Sequence, residues 1–134
     1  MFTLKVKPSY SDTMEEIEEL ENLLFENAFN ATTFTHELST GAQCWVTGSE
    51  RIEGYILFRE ENGLIDILRV AVHPTYQSRG VGTSLMKIAM KQSERCMLSV
   101  RKDNDGAIRL YRRLGFSILG DLGSSWVMTT SAAS

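Results

Sequence analysis

A strand that runs into a glycine-bearing loop and then into a helix is the part of this sequence best suited to chemistry. Residues 68–72 are mostly apolar, residues 77–82 read QSRGVG, and a helical pattern begins at once after them. Glycine lets backbone N–H groups approach an anion without a Cβ in the way, and a helix N-terminus attracts negative charge. The spacing therefore predicts a site for a phosphate-bearing ligand. Glycine turns of this kind also serve packing alone, so support is needed from elsewhere in the chain.

That support comes from a second segment, and the two together resemble the GNAT superfamily of N-acetyltransferases. Residues 77–82 match the family's pyrophosphate motif Q/R-x-x-G-x-G/A, and residues 70–74 (VAVHP) match the strand end before it. Residues 104–116 resemble the family's N-x-x-A-x-x-L-Y-x-x-L-G-F segment. The close match covers residues 64–119, whereas residues 1–60 agree only in their order of elements. The loop differs from a Walker A motif, which needs Gly-Lys-Ser/Thr, and from dinucleotide fingerprints, which need an acidic residue for the ribose.

The resemblance implies that the cofactor is acetyl-CoA and that both segments contact it. In the family, the strand-end backbone binds the pantetheine arm and one of its N–H groups polarises the thioester carbonyl. The loop amides and the start of the next helix hold the pyrophosphate. For Arg79 the alternative is a solvated surface charge, and for Asn104 it is a plain helix N-cap. The residues assigned to cofactor binding are Val70, Ala71, Val72, Gln77, Ser78, Arg79, Gly80, Val81, Gly82, Thr83, Asn104 and Tyr111.

The resemblance assigns catalysis to Tyr111 and Asp66. Tyr111 resembles the family tyrosine that can protonate the departing thiolate, and its alternative is a core aromatic on the helical stripe. A free alkyl amine titrates near pH ~10, so an amine acceptor must lose a proton before it attacks. Asp66 lies in an otherwise apolar strand, at the position of the catalytic Glu of histone-acetylating members, where burial would raise its pKa. A solvated Asp66, with a water chain as the base, stays open.

Ser99 and His73 also bear on which group acts as the general base. Superfamily members that acetylate protein N-termini often have Glu immediately before the V-R-x-x-N segment, but this chain has Ser99 there. This difference weakens a protein N-terminus as the acceptor. Histidine is a residue type suited to a base near neutral pH, yet His73 lies at a strand exit before Pro74, and we interpret it as solvated.

The acceptor predicted by this interpretation is a primary amine of a small molecule or a protein, which attacks directly in a ternary complex. The glutamates of the first predicted helix suit a cationic acceptor, although a charge-rich helix face is often merely solvated. Phe29 and Phe34 are assigned to the acceptor wall, with core packing as the alternative. A rival of another class is a non-catalytic acyl-CoA-binding or protein-interaction domain, against which the intact loop and Tyr111 argue. The protein is also a candidate for forming a homodimer.

The apolar pattern predicts the elements that must position these residues. Alternation and helical periodicity mark a run of strands and helices separated by turn residues. Residues 28–41 carry a weak pattern, which we interpret as a loop with one short helical turn. Strands are predicted at 2–6, 43–47, 53–60, 64–72, 95–101, 116–119 and 125–130, and helices at about 12–27, 81–93 and 105–114.

The predicted fold class is mixed α/β (α+β), a GNAT-like fold with helices on both faces of a central sheet. The sheet is mixed and mostly antiparallel, with about six to seven strands, because only the strand-helix-strand passage over 64–101 implies parallel pairing. The length of 134 residues fits one domain over residues 1–134. Residues 129–134 are predicted to be a disordered tail.

Composition and charge exclude several other classes. A formal net charge of -3 leaves no general basic field for nucleic acid. The two cysteines, Cys44 and Cys96, have apolar neighbours and are predicted to be buried reduced thiols, and no metal-ligand spacing joins them to a histidine. No apolar run approaches the ~20 residues of a membrane span, and no signal-peptide pattern begins the chain. We therefore expect a cytoplasmic protein without a metal, a nucleic-acid partner or a membrane partner.

Overall fold

One sheet of seven strands forms the centre of the protein. The computed structural model describes residues 1–7 and 9–130, and within them the strand order is β1-β2-β3-β4-β5-β7-β6. All neighbours pair antiparallel except β4 and β5, which are parallel, so the predicted mixed sheet is confirmed. The strands are β1 (Phe2–Lys5), β2 (Gln43–Gly48), β3 (Ile52–Glu61), β4 (Leu64–Val72), β5 (Arg95–Arg101), β6 (Phe116–Asp121) and β7 (Ser125–Thr130).

Helices cover both faces of the sheet. The described residues contain α1 (Ser11–Leu24), α2 (Ala31–Ser39), α3 (Val81–Met90) and α4 (Asp105–Arg113), together with a short 3₁₀ turn at Pro74–Tyr76. Helices α1 and α2 pack on one side of the sheet and α3 and α4 on the other, and a separate core cluster fills each interface. We call these sides the α1/α2 face and the α3/α4 face.

The middle of β4 departs from regular pairing on both of its sides. On the β3 side, Leu57 is opposite Arg69 and Phe58 is opposite Ile67, so the extra residue between them makes a bulge. On the β5 side, pairing covers only Leu64–Ile67 with 95–98 and then stops. Residues 68–72 therefore have a strand partner on one side only. Their other edge presents backbone polar groups at the point where β4 and β5 part.

Helix α2 is the main element that the sequence prediction missed. Residues 28–41 were expected to be mostly loop, but Asn30 caps a helix of nine residues by accepting a hydrogen bond from the Thr33 N–H at 2.9 Å. The Phe34 ring is fully buried and packs edge-on against Tyr55 of β3, with the ring centroids 5.6 Å apart. Tertiary burial of one aromatic side chain thus fixes a helix whose own sequence is rich in threonine.

The end of the described chain also differs from the expectation of a tail that begins at residue 129. Thr129 and Thr130 belong to β7, where the Thr129 hydroxyl donates to Cys96 O and the Thr130 hydroxyl oxygen accepts from the Cys96 N–H. These bonds tie the last described residues to β5. The remaining part of the predicted tail, residues 131–134, lies outside the described residues.

Two further expectations concern the cysteines and membrane spans. Cys44 and Cys96 are both free and buried, as predicted. Within residues 1–7 and 9–130, the helices are too short and too polar to cross a bilayer.

Candidate functional site

A cavity of about 560 Å³ opens between the unpaired edge of β4 and the N-terminal ends of α3 and α4. Most of the residues that the sequence singled out for cofactor binding meet there. The lining residues are Val70, Val72, Gln77, Ser78, Gly80, Gly82, Thr83, Asn104, Gly106, Ala107, Leu110, Tyr111 and Arg113.

The loop between β4 and α3 is held in shape by its own side chains. His73 Nδ1 accepts a hydrogen bond from the Thr75 N–H at 3.1 Å, and Gln77 Nε2 donates to Val72 O at 3.2 Å. The backbone then turns through two residues with positive φ, Ser78 at 63° and Gly80 at 84°. A positive φ is uncommon for a residue that carries a Cβ, so Ser78 marks a constrained turn. His73, which was expected to be solvated, is half-buried and uses Nδ1 to cap the turn.

The N-terminus of α3 points unpaired amides toward the cavity. The first helical hydrogen bond runs from the Ser84 N–H to Gly80 O at 3.0 Å. The N–H groups of residues 81–83 have no acceptor among the described residues, as expected for the first turn of a helix. These free donors, together with the positive end of the helix dipole, form a concavity that suits an anion.

Gly82 keeps this concavity open. A Cβ at residue 82 would lie 3.3 Å from Leu110 Cδ2 and 3.7 Å from Val72 Cγ2, so it would stand in the gap between β4 and α4. A larger side chain would fill space that lines the cavity. The residues present therefore fit a pyrophosphate-bearing ligand, because the free amides supply donors and the glycine supplies room.

Helix α4 contributes a second N-terminus and the tyrosine. Asn104 caps the helix, accepting from the Ala107 N–H at 3.2 Å, and it also lines the cavity, so the cap is compatible with the cofactor contact predicted for it. Tyr111 is largely buried, at 7% exposure, and packs against Phe116 with ring centroids 5.8 Å apart. Burial raises the pKa of Tyr111 to about 12. Its hydroxyl is therefore protonated at neutral pH.

Three of the residues predicted to bind the cofactor lie outside the cavity lining. Ala71 is buried in the core of the α1/α2 face, although its backbone belongs to the unpaired edge of β4. The Arg79 guanidinium lies 5.8 Å from the centroid of the Tyr76 ring. Val81 packs against the core of the α3/α4 face. For these residues the structure supports backbone or peripheral contact rather than a side-chain contact.

Asp66 lies on the opposite side of the sheet from the cavity. Ile65 and Ile67 point into the core of the α3/α4 face, so Asp66 between them points to the α1/α2 face. Partial burial raises the pKa of Asp66, and the charge of Arg59 opposes that shift. Asp66 pairs with Met97 just before β4 and β5 part. By the same alternation along β5, Ser99 is exposed on this face.

The two predicted acceptor residues differ in burial. Phe34 is fully buried and belongs to the core, which agrees with its packing alternative. Phe29 is half-buried at the end of the connection between α1 and α2, and its ring packs edge-on against Phe34 at 5.7 Å between centroids. Of the pair, Phe29 is the one that can face an acceptor.

Sequence reasoning missed one buried ion pair near this face, between Glu21 of α1 and Arg69 of β4. The Glu21 side chain is fully buried, and the Arg69 Nη2 atom lies 2.9 Å from Glu21 Oε1. A signal for it exists in the sequence, because Glu21 follows Ile17 by four residues and Met14 by seven. A charged residue on the apolar stripe of a helix predicts a buried partner.

Across residues 1–7 and 9–130 there is no cluster of side chains suited to a metal ion.

Comparison with known sequences points to one family. Residues 9–116 match the model of the acetyltransferase (GNAT) family. An uncharacterized protein of Mycobacterium leprae is 32% identical over an alignment of 112 residues that covers 76% of this chain and 31% of that protein. The spermidine N(1)-acetyltransferase of Escherichia coli K12 is 37% identical over an alignment of 60 residues that covers 40% of this chain and 32% of that enzyme. The chain thus spans about a third of the length of these two relatives.

Solved structures share the fold over nearly the whole chain. The ribosomal-protein-S18-alanine N-acetyltransferase from Escherichia coli superimposes with a TM-score of 0.82 at 17% identity, covering 99% of this chain and 96% of that one. The PaiA N-acetyltransferase from Thermoplasma acidophilum, in complex with coenzyme A, gives a TM-score of 0.79 at 16% identity and covers 98% and 99%. At this level of identity the likeness establishes the fold, and it confirms the predicted fold class.

Proposed function

The chain belongs to the acetyltransferase (GNAT) family, and from this premise we propose that it is an N-acetyltransferase that moves the acetyl group of acetyl-CoA to a primary amine. Acetyl-CoA is the acetyl donor of this family, as the sequence predicted. The two curated relatives compared above are matched over about a third of their length, so the activity of this protein is stated as a proposal.

The observation that carries the proposal is the parting of β4 and β5 directly beside the glycine loop. Residues 68–72 present an unpaired backbone edge to the cavity, and the free amides of residues 81–83 lie at its other end. A backbone edge of this kind can hydrogen-bond an amide-rich arm and hold a carbonyl in place, while the helix N-terminus binds an anion. The backbone edge would hold the pantetheine arm and the free amides would hold the pyrophosphate, so their order along the cavity matches the order of these groups in the cofactor.

Acetyl-CoA, when bound, supplies an acetyl group activated as a thioester. The backbone of residues 70–72 would hold the pantetheine arm and donate one N–H to the carbonyl oxygen. The amides of residues 77–83 would bind the pyrophosphate, with Asn104 beside the arm. Tyr111 lines the cavity and keeps its hydroxyl protonated, and in this proposal it would give that proton to the departing sulfur atom.

Asp66 is our candidate for the group that receives the proton of the amine. Its carboxylate lies on the face of β4 opposite the cavity, close to the gap between the strands, so an acceptor entering from the α1/α2 face would pass near it. A raised pKa brings a carboxylate closer to the range in which it works as a base. A water chain is the alternative route for the proton.

Two acidic residues and one relative support a class of acceptor. Asp66 lies on the α1/α2 face, the charge of Glu26 is felt at Arg101 of β5, and the E. coli relative acts on spermidine, so we propose a cationic amine. Ser99 stands where enzymes acting on protein N-termini often carry Glu, which favours a small molecule or a side-chain amine. The homodimer and the cytoplasmic location remain predictions.

Calorimetric titration with acetyl-CoA, followed by an amine panel, tests this proposal. The panel would hold spermidine, an aminoglycoside, a lysine-containing peptide and a peptide with a free N-terminus, and the released CoA thiol would be measured. We expect saturable acetyl-CoA binding and thiol release that depends on a polycationic amine. Binding without amine-dependent release would favour the non-catalytic acyl-CoA-binding domain, and absence of binding would exclude both.

A further inference from the structure

Arg69 makes an unusually complete set of contacts with the connection between α1 and α2. Its guanidinium lies between the rings of Phe25 and Phe29, 3.9 Å from one centroid and 4.2 Å from the other. It donates to both carboxylate oxygens of Glu21, at 3.1 Å from Nε to Oε2 and 2.9 Å from Nη2 to Oε1. It also donates to Asn27 O at 2.9 Å. One side chain of β4 thus holds residues 25–29.

Glu21 completes the same arrangement from the helix side. Its Oε1 atom also accepts from the Phe29 N–H at 2.8 Å, so one carboxylate binds both the arginine and the backbone of the connection. The neighbouring Glu18 carboxylate accepts from the Ala31 N–H at the start of α2. With the Glu21 side chain fully buried and the Arg69 side chain only 20% exposed, this pair is shielded from solvent and strongly coupled.

The connection held in this way lies beside the gap between β4 and β5. Arg69 belongs to the unpaired stretch 68–72 and directly precedes Val70, which lines the cavity. On the β5 side of the gap, Arg101 donates a hydrogen bond to Asp103 that raises the pKa of Arg101, and the charge of Glu26 adds to that rise. Residues 25–29 therefore contact β4 on the α1/α2 face, at the stretch that has no partner in β5.

We propose that Glu21 and Arg69 are positioning residues that fix residues 25–29 as the wall of the amine site. This inference rests on the proposed function, because it assigns a site to the acceptor amine. Since Arg69 and Val70 are consecutive residues of one strand, the wall and the backbone edge that would hold the carbonyl share a rigid support. Loss of the pair should loosen the wall and leave the cofactor cavity on the other face intact.

The double variant Glu21→Leu/Arg69→Leu tests this without leaving an unpaired buried charge. Removing a single partner would strand the other in the core, whereas replacing both with apolar residues is often tolerated. We expect a folded protein whose KM for the best amine rises about 10- to 100-fold, the range that loss of positioning can reach. The affinity for acetyl-CoA should stay within about twofold, and the Phe29 and Ala31 amides should lose protection from hydrogen exchange.

Two further variants sharpen the result. Arg69→Lys keeps the charge but loses the planar stacking and the paired hydrogen bonds, so it should give an intermediate KM. Lys102→Met/Asp121→Asn removes an exposed ion pair elsewhere, whose Nζ to Oδ1 distance is 2.7 Å, and should leave both KM and hydrogen exchange unchanged.

The outcomes separate this inference from the proposed function. If the wild-type protein acetylates amines but the folded Glu21→Leu/Arg69→Leu variant keeps its amine KM, the positioning role is wrong. The same conclusion follows if acetyl-CoA affinity falls as much as amine affinity, since Arg69 would then support only the strand. If the wild type binds acetyl-CoA and acetylates no amine, the proposed function fails and the inference falls with it.

Discussion

Asp66 is a carboxylate whose surroundings oppose its charge. Its pKa is raised by partial burial, and Arg59 only offsets part of that rise. A group whose pKa is higher in the folded than in the unfolded state stabilises the fold below its unfolded pKa. That contribution is lost as the pH rises through the folded pKa. At neutral pH the ionised Asp66 is therefore a cost to the fold, a pattern typical of functional carboxylates.

Asp66→Asn should consequently raise the Tm and lower the activity at pH 7. The gain in Tm should vanish near pH 3, where the wild-type carboxyl is protonated in both states. As a general base, Asp66 should be worth about 10²- to 10⁴-fold in kcat/KM, with a smaller deficit at high pH because more of the amine is already neutral. Thermal melts and pH profiles measure both effects. Full activity near neutral pH would assign the proton to water or another residue, and a pH-independent loss would indicate positioning.

Tyr111→Phe isolates a single oxygen atom. The ring still packs against Phe116, so acetyl-CoA should bind nearly as before, while single-turnover rates should fall about 10²-fold because the proton donor is lost. Since burial raises the pKa of Tyr111 to about 12, the ratio of wild-type to variant rates should stay constant from about pH 6 to 10. An unchanged rate would leave Tyr111 with packing as its only role.

At the scale of elements, the junction of β4 and α3 depends on a missing side chain. Gly82→Val should weaken acetyl-CoA binding at least about 10-fold, because its side chain would enter the gap toward Leu110 and Val72. Gly120→Val is the matched control, since a Cβ there meets nothing within 4 Å and the residue lies in a strand that favours valine. Calorimetric titration of both variants with acetyl-CoA measures the two affinities. Wild-type affinity in Gly82→Val would move the site elsewhere.

The elements differ in how far the sequence could predict them. Strands β4 and β5 were predicted with their observed bounds because turn residues delimit a mostly apolar run in β4 and an alternating pattern in β5. The bulge at Leu68 and the parting from β5 could not be predicted, because they depend on the register between strands rather than on either sequence alone.

The same dependence on tertiary contacts decides which residues of the candidate site could be predicted from the sequence. The glycine loop and Tyr111 were predicted because the motif residues are local in sequence, and they do meet in one cavity. Arg69 was missed because its partner Glu21 lies 48 residues away and the two meet only when α1 packs on the sheet. Helix α2 was missed for a related reason, since the burial of Phe34 against Tyr55 is a tertiary contact.

At the scale of the whole molecule, one sheet separates two cores, and each core holds one cysteine. Cys44 belongs to the core of the α1/α2 face and Cys96 to the core of the α3/α4 face. Burial raises the pKa of Cys44 to about 12, with Glu21 adding to the shift, and burial raises that of Cys96 to about 11. Because the thiolate is the reactive form, each thiol reports whether its own layer has opened.

Alkylation of the two cysteines therefore tests whether residues 1–134 unfold as the single domain that the sequence predicts. In the native protein at pH 8 neither thiol should react with iodoacetamide, since the thiolate fractions are on the order of 10⁻⁴ and 10⁻³ and the reagent is excluded. Along a urea series, peptide mass spectrometry should find one common midpoint for both cysteines. The reason is that strands β3 and β4 contribute residues to both cores. If Cys44 reacts at lower urea than Cys96, the α1/α2 layer opens alone and the acceptor side is a separately unfolding unit.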